Sequence, residues 1–206
     1  AYVTAILTTA ASNSHLGGYD LPVVLGLISA MAVTAVIAWL VGLLCIRLRS
    51  DYLAIATIGI GEIFRLILKN EIWATNGARG IAKIPLPLEN LSEPWNKIGF
   101  MILVLAIVAV FYFLIERARR APWGRLMTAI RENEYSARAA GKNVERVRIE
   151  AFVCGSILMG LAGGLMAHYI KFIGPGATEP LTTTFLVWVM LIAGGSGNNR
   201  GAILGA

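Results

Sequence analysis

The sequence predicts an all-α, polytopic membrane protein, and three observations carry that expectation. Of 206 residues, 57% are hydrophobic and only 15% are charged, whereas a soluble domain carries about 25% charged residues. Uncharged stretches on the scale of a membrane helix, which needs about 20 apolar residues, occur at 21–46 and 98–115. Charge is gathered instead in one block, 116–150, which holds nine of the eighteen Lys and Arg and five of the twelve Asp and Glu. Nine minus five gives four of the six net positive charges, the basic bias of a cytoplasmic loop and not a nucleic-acid surface.

Taken in order, residues 1–11 are apolar but short and are expected to end a longer span. Residues 12–19 form a polar, Gly-containing turn, where His15 has no second His, Cys or acid at metal spacing. The 21–46 span is followed at once by Arg47 and Arg49, which mark a cytoplasmic end. Asp51 opens the next helix, 51–69, as an N-cap or first-turn acid, and Lys69 suits its negative C-terminal end. Residues 70–97 are expected to be a loop. They contain Pro85, Pro87 and Pro94 and the turn signals Asn76-Gly77 and Gly80. Trp73 and Trp95 stand near the ends of this loop, where aromatic belts form.

The 98–115 span leads into the charged block, and the chain returns to the membrane at 151–170. Lys171 ends that span, and Gly174-Pro175-Gly176 breaks the helix. Residues 180–199 carry no charge, but 194–199 are too rich in Gly and Asn for a lipid-facing helix. Such backbone is tolerated only in protein or facing water. Arg200 closes this stretch and 201–206 begin another; both chain ends are expected to be incomplete. If 116–150 is cytoplasmic, parity puts Arg47–Ser50 and Arg200 on the same side. That assigns twelve Lys or Arg inside and five outside, with Arg65 within a span.

Chemistry is sparse. Cys45 and Cys154 lie inside apolar runs, as small hydrophobes do. The only Gly-Lys pair, Gly141-Lys142, lacks a glycine-rich lead and is followed by Asn143, so no phosphate-cradling loop is present and any ATP use belongs to another chain. No catalytic set, metal-ligating set or cofactor site is expected. The informative span is 51–69. Glu62, Arg65 and Lys69 share one helix face, and Glu62 lies eleven residues past Asp51, about 16 Å along the axis. A charge there costs at least ~2.5 kcal/mol if it faces lipid. Two readings stand. With Thr57, Gly59 and Gly61, the pair forms a wall or gate of a transport path; or it is an internal ion pair that fixes packing. Gly59 and Gly61 would permit close helix approach or a bend. Small residues mark two packing seams: Gly160 with Gly164, and Gly197, Gly201 and Gly205 at four-residue spacing.

Within the charged block, residues 121–125 look like a turn and 126–140 like one short amphipathic helix. Met127, Ile130 and Ala137 supply its apolar positions; Arg131, Glu132, Glu134 and Arg138 supply its charge. Glu134 and Arg138 stand in the favourable i,i+4 order, and Gly141 ends the helix at the position after its cap. A connector needs only a few residues, whereas this block has 35. A short helix closed by Gly at the membrane surface suits docking into a groove on a partner.

Three stretches carry a family resemblance: residues 47–57 (RLRSDYLAIAT), 61–65 (GEIFR) and 129–134 (AIRENE), the last continued by 137–141 and by Ala151-Phe152. On these the sequence resembles the permease subunits of bacterial branched-chain amino-acid ABC importers, the M-type subunit in particular, over most of its length. The resemblance implies that 1–206 form one helical permease domain in the bacterial inner membrane. It also implies a homologous permease subunit, two cytoplasmic ATPases and a periplasmic binding protein as partners. Residues 131–141, with Arg131, Glu132, Glu134, Arg138 and Gly141, would be the coupling helix seated in an ATPase. The cargo would be a branched-chain or other hydrophobic amino acid, moved without any bond in it changing, so the chain is not expected to be an enzyme. Three positions depart from the pattern: residues 76–80 (NGARG), residues 195–199 (GSGNN), and Tyr135, where the broader importer pattern has Glu. The alternatives are the same architecture carrying urea, a short amide or a sugar, or an ATP-independent channel or secondary carrier. The long charged loop argues against the last two.

Overall fold

The uncharged runs fold as long helices because a backbone in hydrocarbon must satisfy its own N–H and C=O groups. A computed structural model describes residues 1–10, 18–45, 48, 50–87, 95–178, 185–195 and 199–205. The chain runs α1 (Tyr2–Thr8), α2 (Val23–Cys45), α3 (Ser50–Asn70), α4 (Ile72–Thr75), β1 (Ile81–Ala82) and α5 (Trp95–Arg120). It continues through α6 (Pro122–Glu132), α7 (Glu134–Ala139), α8 (Val144–Ile170), β2 (Phe172–Ile173), α9 (Phe185–Gly194) and α10 (Asn199–Gly205). Helices α2, α5 and α8 are long and apolar enough to cross a membrane. The 21 residues of α3 reach about as far, but Glu62 and Arg65 interrupt its apolar sequence.

The central packing is α2 against α8, and the two run antiparallel. A Cβ built on Gly160 would stand 2.7 Å from Thr34 Oγ1, one on Gly164 would stand 2.6 Å from Leu27 Cδ2, and one on Gly42 would lie 3.6 Å from Phe152. Rising numbers on α2 thus meet falling numbers on α8. Glycine at 160 and 164 leaves room for Thr34 and Leu27, which is how helices associate where no hydrophobic force separates lipid from protein. Short α1 completes this seam: Thr4 and Thr8 fit over Gly26, and Thr8 bonds back to the Thr4 carbonyl at 2.8 Å. Leu86, Phe100, Leu161 and Leu165 form the apolar core between α5 and α8, with Leu27 and Met31 of α2 against it.

The antiparallel seam sorts the connections onto two faces. At one face stand the end of α2, the start of α8 and the α6–α7 segment. The start of α10 joins them, because Asn199 Nδ2 donates to Glu116 Oε2 of α5 at 3.0 Å. At the other face, the expected 70–97 loop is largely structured. Its α4, a 3-10 turn at Gly77–Arg79 and β1 lead to Ile81, which pairs antiparallel with Ile173 of β2. Buried Tyr2, Ala5, Ile81, Ile84, Ala167 and Ile173 form a second core there. Fully buried His168 locks the loop to α8, with Nδ1 2.7 Å from the Pro85 carbonyl; since a carbonyl only accepts, Nδ1 carries the proton.

The structure revises several boundaries. The 98–115 span extends from Trp95 to Arg120, and the 151–170 span begins at Val144, so both borders of the charged block are helix. Gly174-Pro175-Gly176 does not end α8; Lys171 does so first, in the left-handed conformation at φ 59°. Among the described residues of 180–199 the helix is Phe185–Gly194, and α10 folds back on it where Gly194, Gly201 and Gly205 let the two backbones touch. Gly197 lies outside the described residues.

A bulky side chain at the α2–α8 seam should therefore be costly. Gly160→Leu is expected to destabilise the protein by about 1–3 kcal/mol through overpacking. Gly155→Leu, on the same helix with nothing within 4 Å of its Cβ position, should be near neutral. Thermal unfolding in detergent compares the two; equal effects would exclude a close seam at Gly160.

Candidate functional site

The charged block folds as an elbow of two helices, not one, between α5 and α8. Pro122 takes the first position of α6, where its missing N–H costs nothing. The expected turn at 121–125 is therefore already helical. Gly124 makes the corner possible: a Cβ there would collide with the carbonyls of Ala118 and Arg119 at the end of α5. The expected helix over 126–140 is interrupted at Asn133, whose backbone is extended at φ −153° and ψ 101°. Its side chain accepts from the Ser136 N–H at 3.0 Å and caps α7. The cap interaction wins over the amphipathic pattern that runs through it.

Helix α7 closes with a Schellman motif. The N–H of Gly141 reaches the Arg138 carbonyl at 2.9 Å and that of Lys142 reaches the Ala137 carbonyl at 3.2 Å. Gly141 sits at φ +74°, a conformation that side chains rarely adopt. Ile130, Ala137, Val144 and Val147 form a small core within the elbow, flanked by Leu126 and Met127.

Glu134 is the electrostatic centre of this elbow. Arg148 of α8 reaches it at 2.6 Å, and Arg138, one turn along α7, at 2.9 Å. Hydrogen bonds from Arg148 first, then Arg138, hold the Glu134 carboxyl below its ordinary range. Trp123 Nε1 donates to Glu150 at 3.2 Å and ties α6 to α8 as well. Around this pinned centre, Arg131, Glu132, Arg138 and Gly141 are exposed. So is Tyr135, at 85%, the most exposed aromatic of the described chain. Sequence reasoning missed Tyr135 as a surface feature and Arg148 as a partner. The aromatic in a charged helix was a signal for the first; no local spacing reveals the second.

The other candidate residues lie apart from the elbow, on α3. Arg65 grips Glu62 through Nε and Nη2, with contacts of 2.7–3.1 Å. Thr57 Oγ1 bonds back to the carbonyls of Leu53 and Ala54 at 2.9 and 3.0 Å. Nothing lies within 4 Å of a Cβ on Gly59 or Gly61. The close approach these glycines would permit is thus not used within the described chain, and α3 continues through them without a break. No described side chain of α3 is buried, because α3 packs on the chain chiefly through its C-terminal end. Gly160 and Gly164 occupy the α2–α8 seam, and Gly201 and Gly205 the α9–α10 contact.

The Glu134 clamp has a defined pH signature. A carboxylate whose folded pKa is depressed stabilises the fold fully above its unfolded value, about 4.3, and loses this as pH falls through the folded value. Glu134→Gln is expected to lower Tm by about 2–4 °C at neutral pH, with the deficit vanishing in acid below the ordinary carboxylate range. Melting curves of both proteins across this range check it; a deficit that grows on acidification refutes the clamp.

Comparison with known proteins places this architecture. Residues 1–206 match the family described as branched-chain amino acid transport system / permease component. The chain is 32% identical to the high-affinity branched-chain amino acid transport system permease protein LivM of Salmonella typhimurium, over 100% of this chain and 53% of the relative. It is 31% identical to the probable branched-chain amino acid transport permease protein LivM of Methanocaldococcus jannaschii, over 99% and 59%. A third relative, the autoinducer 2 import system permease protein LsrC of an Enterobacter species, is 29% identical over 92% and 54%. The chain thus spans a little over half the length of these relatives, and no solved structure matches it. The chain is predominantly helical and belongs to the family of branched-chain amino acid transport system permease components.

Proposed function

We propose that this chain forms the membrane-spanning part of a permease subunit in an ATP-driven importer of branched-chain or other hydrophobic amino acids. The α6–α7 elbow carries the proposal. It is a polar structure at one face of an otherwise apolar bundle, and Arg131, Glu132 and Tyr135 stand exposed on it. Residues 131–141, which comprise the end of α6, the break at Asn133 and α7, serve as the coupling segment that docks on a cytoplasmic ABC ATPase, one of two such subunits. In this role Arg131, Glu132 and Tyr135 make the outward contact, while Glu134, Arg138 and Gly141 hold the shape that presents them. Tyr135 suits an anchor, since aromatic side chains carry a large share of interface energy. The elbow is then cytoplasmic and the β1–β2 face meets a periplasmic binding protein across the inner membrane.

Helix α3 supplies the second part of the reading. Its Glu62–Arg65 pair stands mid-helix and is part-exposed, at 37% and 26% of the side chains. Charges in that position require protein or water beside them, not lipid. A second, homologous permease subunit facing α3 across a hydrated path meets that requirement. Thr57, Gly59 and Gly61 then widen the path or its gate. The named cargo of the LivM relatives supports an amino-acid substrate. The likeness to LsrC, named for autoinducer 2 import, supports a second reading, the same architecture importing autoinducer 2.

The test is uptake by the reconstituted complex with its ATPases and binding protein. Leucine uptake that requires ATP is expected, and leucine transport that persists without the ATPases would sink the importer reading. Tyr135→Ala should weaken ATPase co-purification by about tenfold or more while membrane insertion is unchanged. Glu62→Gln should slow transport with the ATPase still bound; a loss of thermal stability alone would assign the pair to packing.

A further inference from the structure

We propose that the corner between α5 and α6 is a binding site for the phosphate headgroup of an anionic membrane lipid. A shallow cleft there is lined by Phe113, Glu116, Arg117, Arg120 and Ala121. Its charge is unbalanced. Arg119 and Arg120 both bond Glu116, at 2.8 and 2.9 Å, and the same carboxylate also accepts from Asn199. Arg117 is exposed, and no carboxylate among the described residues pairs with it. Three guanidinium groups therefore share one acid within two turns of helix, a local excess of two positive charges.

Position and shape make the ligand an amphiphile. The apolar part of α5 ends at Ile115, so Arg117 and Arg120 stand where the bilayer gives way to water. Phe113, 66% exposed, lies one turn below Arg117 on the membrane side of the cleft. A headgroup phosphate on Arg117 and Arg120 would leave its acyl chains to run down past Phe113. At the rim, Ala121 is the N-cap of α6 and supplies no side-chain cap, so the positive end of α6 also points toward this corner. Balancing the negative end of α5 accounts for basic residues in its last turn, but it does not account for the cleft or for an exposed Phe beneath it. Basic pockets at the cytoplasmic ends of membrane helices hold anionic headgroups in this way. The inference needs only the membrane position of the bundle and is independent of the cargo.

The full chain, reconstituted in phosphatidylcholine with or without phosphatidylglycerol, tests it through lipid retention in native mass spectrometry and through Tm. Phosphatidylglycerol should be retained and should raise Tm. Arg117→Gln should weaken retention by about tenfold, and Arg117→Lys should recover most of it. Arg131→Gln removes an equal charge from the same face outside the cleft and should leave retention unchanged. Equal losses in Arg117→Gln and Arg131→Gln would reduce the effect to general surface charge and overturn the site. Inorganic phosphate should neither raise Tm nor displace the lipid; if it does both, the ligand is soluble phosphate and the lipid assignment fails.

Discussion

The approach of α2 to α8 through Gly160 and Gly164 is the contact on which the rest depends. Two long apolar helices in lipid gain nothing from hydrophobicity by touching, since the lipid is as apolar as they are. What holds them is close packing, and close packing requires that a glycine on one accept a side chain from the other. Thr34 over Gly160 and Leu27 over Gly164 fix both the register and the antiparallel sense. The sense then decides which connections share a face. The end of α2, the elbow and the start of α8 fall together, and the 70–97 segment meets β2 at the other side.

The two faces are built differently. The β1–β2 side is held by apolar burial, with Ile81 and Ile84 almost fully covered and His168 reaching through to a loop carbonyl. The elbow side is held by charge around a small core. Glu134, Glu150 and Glu116 each bond groups from a second element, Arg148 to Glu134, Trp123 to Glu150 and Asn199 to Glu116. Charge of this kind is compatible with water, so the elbow can stand in solvent and still keep its shape. The apolar side needs none of this, because its loop is folded onto the bundle.

What the sequence made legible follows from how local each signal is. Uncharged length located α2, α5 and α8, and charge density located the elbow. Gly141 was readable because a helix that stops at a glycine needs a positive φ there. The Glu62–Arg65 pair was readable because three residues is the spacing of one helix face. Other features depend on residues far apart in the chain. Nothing near Ile81 announces Ile173 as its partner, nor near Glu134 the guanidinium of Arg148, nor near His168 the Pro85 carbonyl. The break at Asn133 was local and still escaped, because an apolar and charged periodicity continues across it on both sides. Gly124 was taken for a turn residue, when it is instead the place where two helices meet without room for a methyl group.

The break at Asn133 has a mechanical consequence. It joins two short rods at one non-helical residue; α6 is fastened both to the end of α5 at Gly124 and to α8 through Trp123 and Glu150, and α7 is fastened to α8 through Arg148. The corner at Gly124 presses α6 against the end of α5, whereas Arg148 clamps α7 to α8. A load applied at the elbow surface is therefore divided. One share reaches the C-terminal end of α5; the other reaches α8 and, through the glycine seam, α2. The joint gives the elbow two separate routes of contact into the bundle, one by the Gly124 corner to α5 and one by charged and polar bonds to α8.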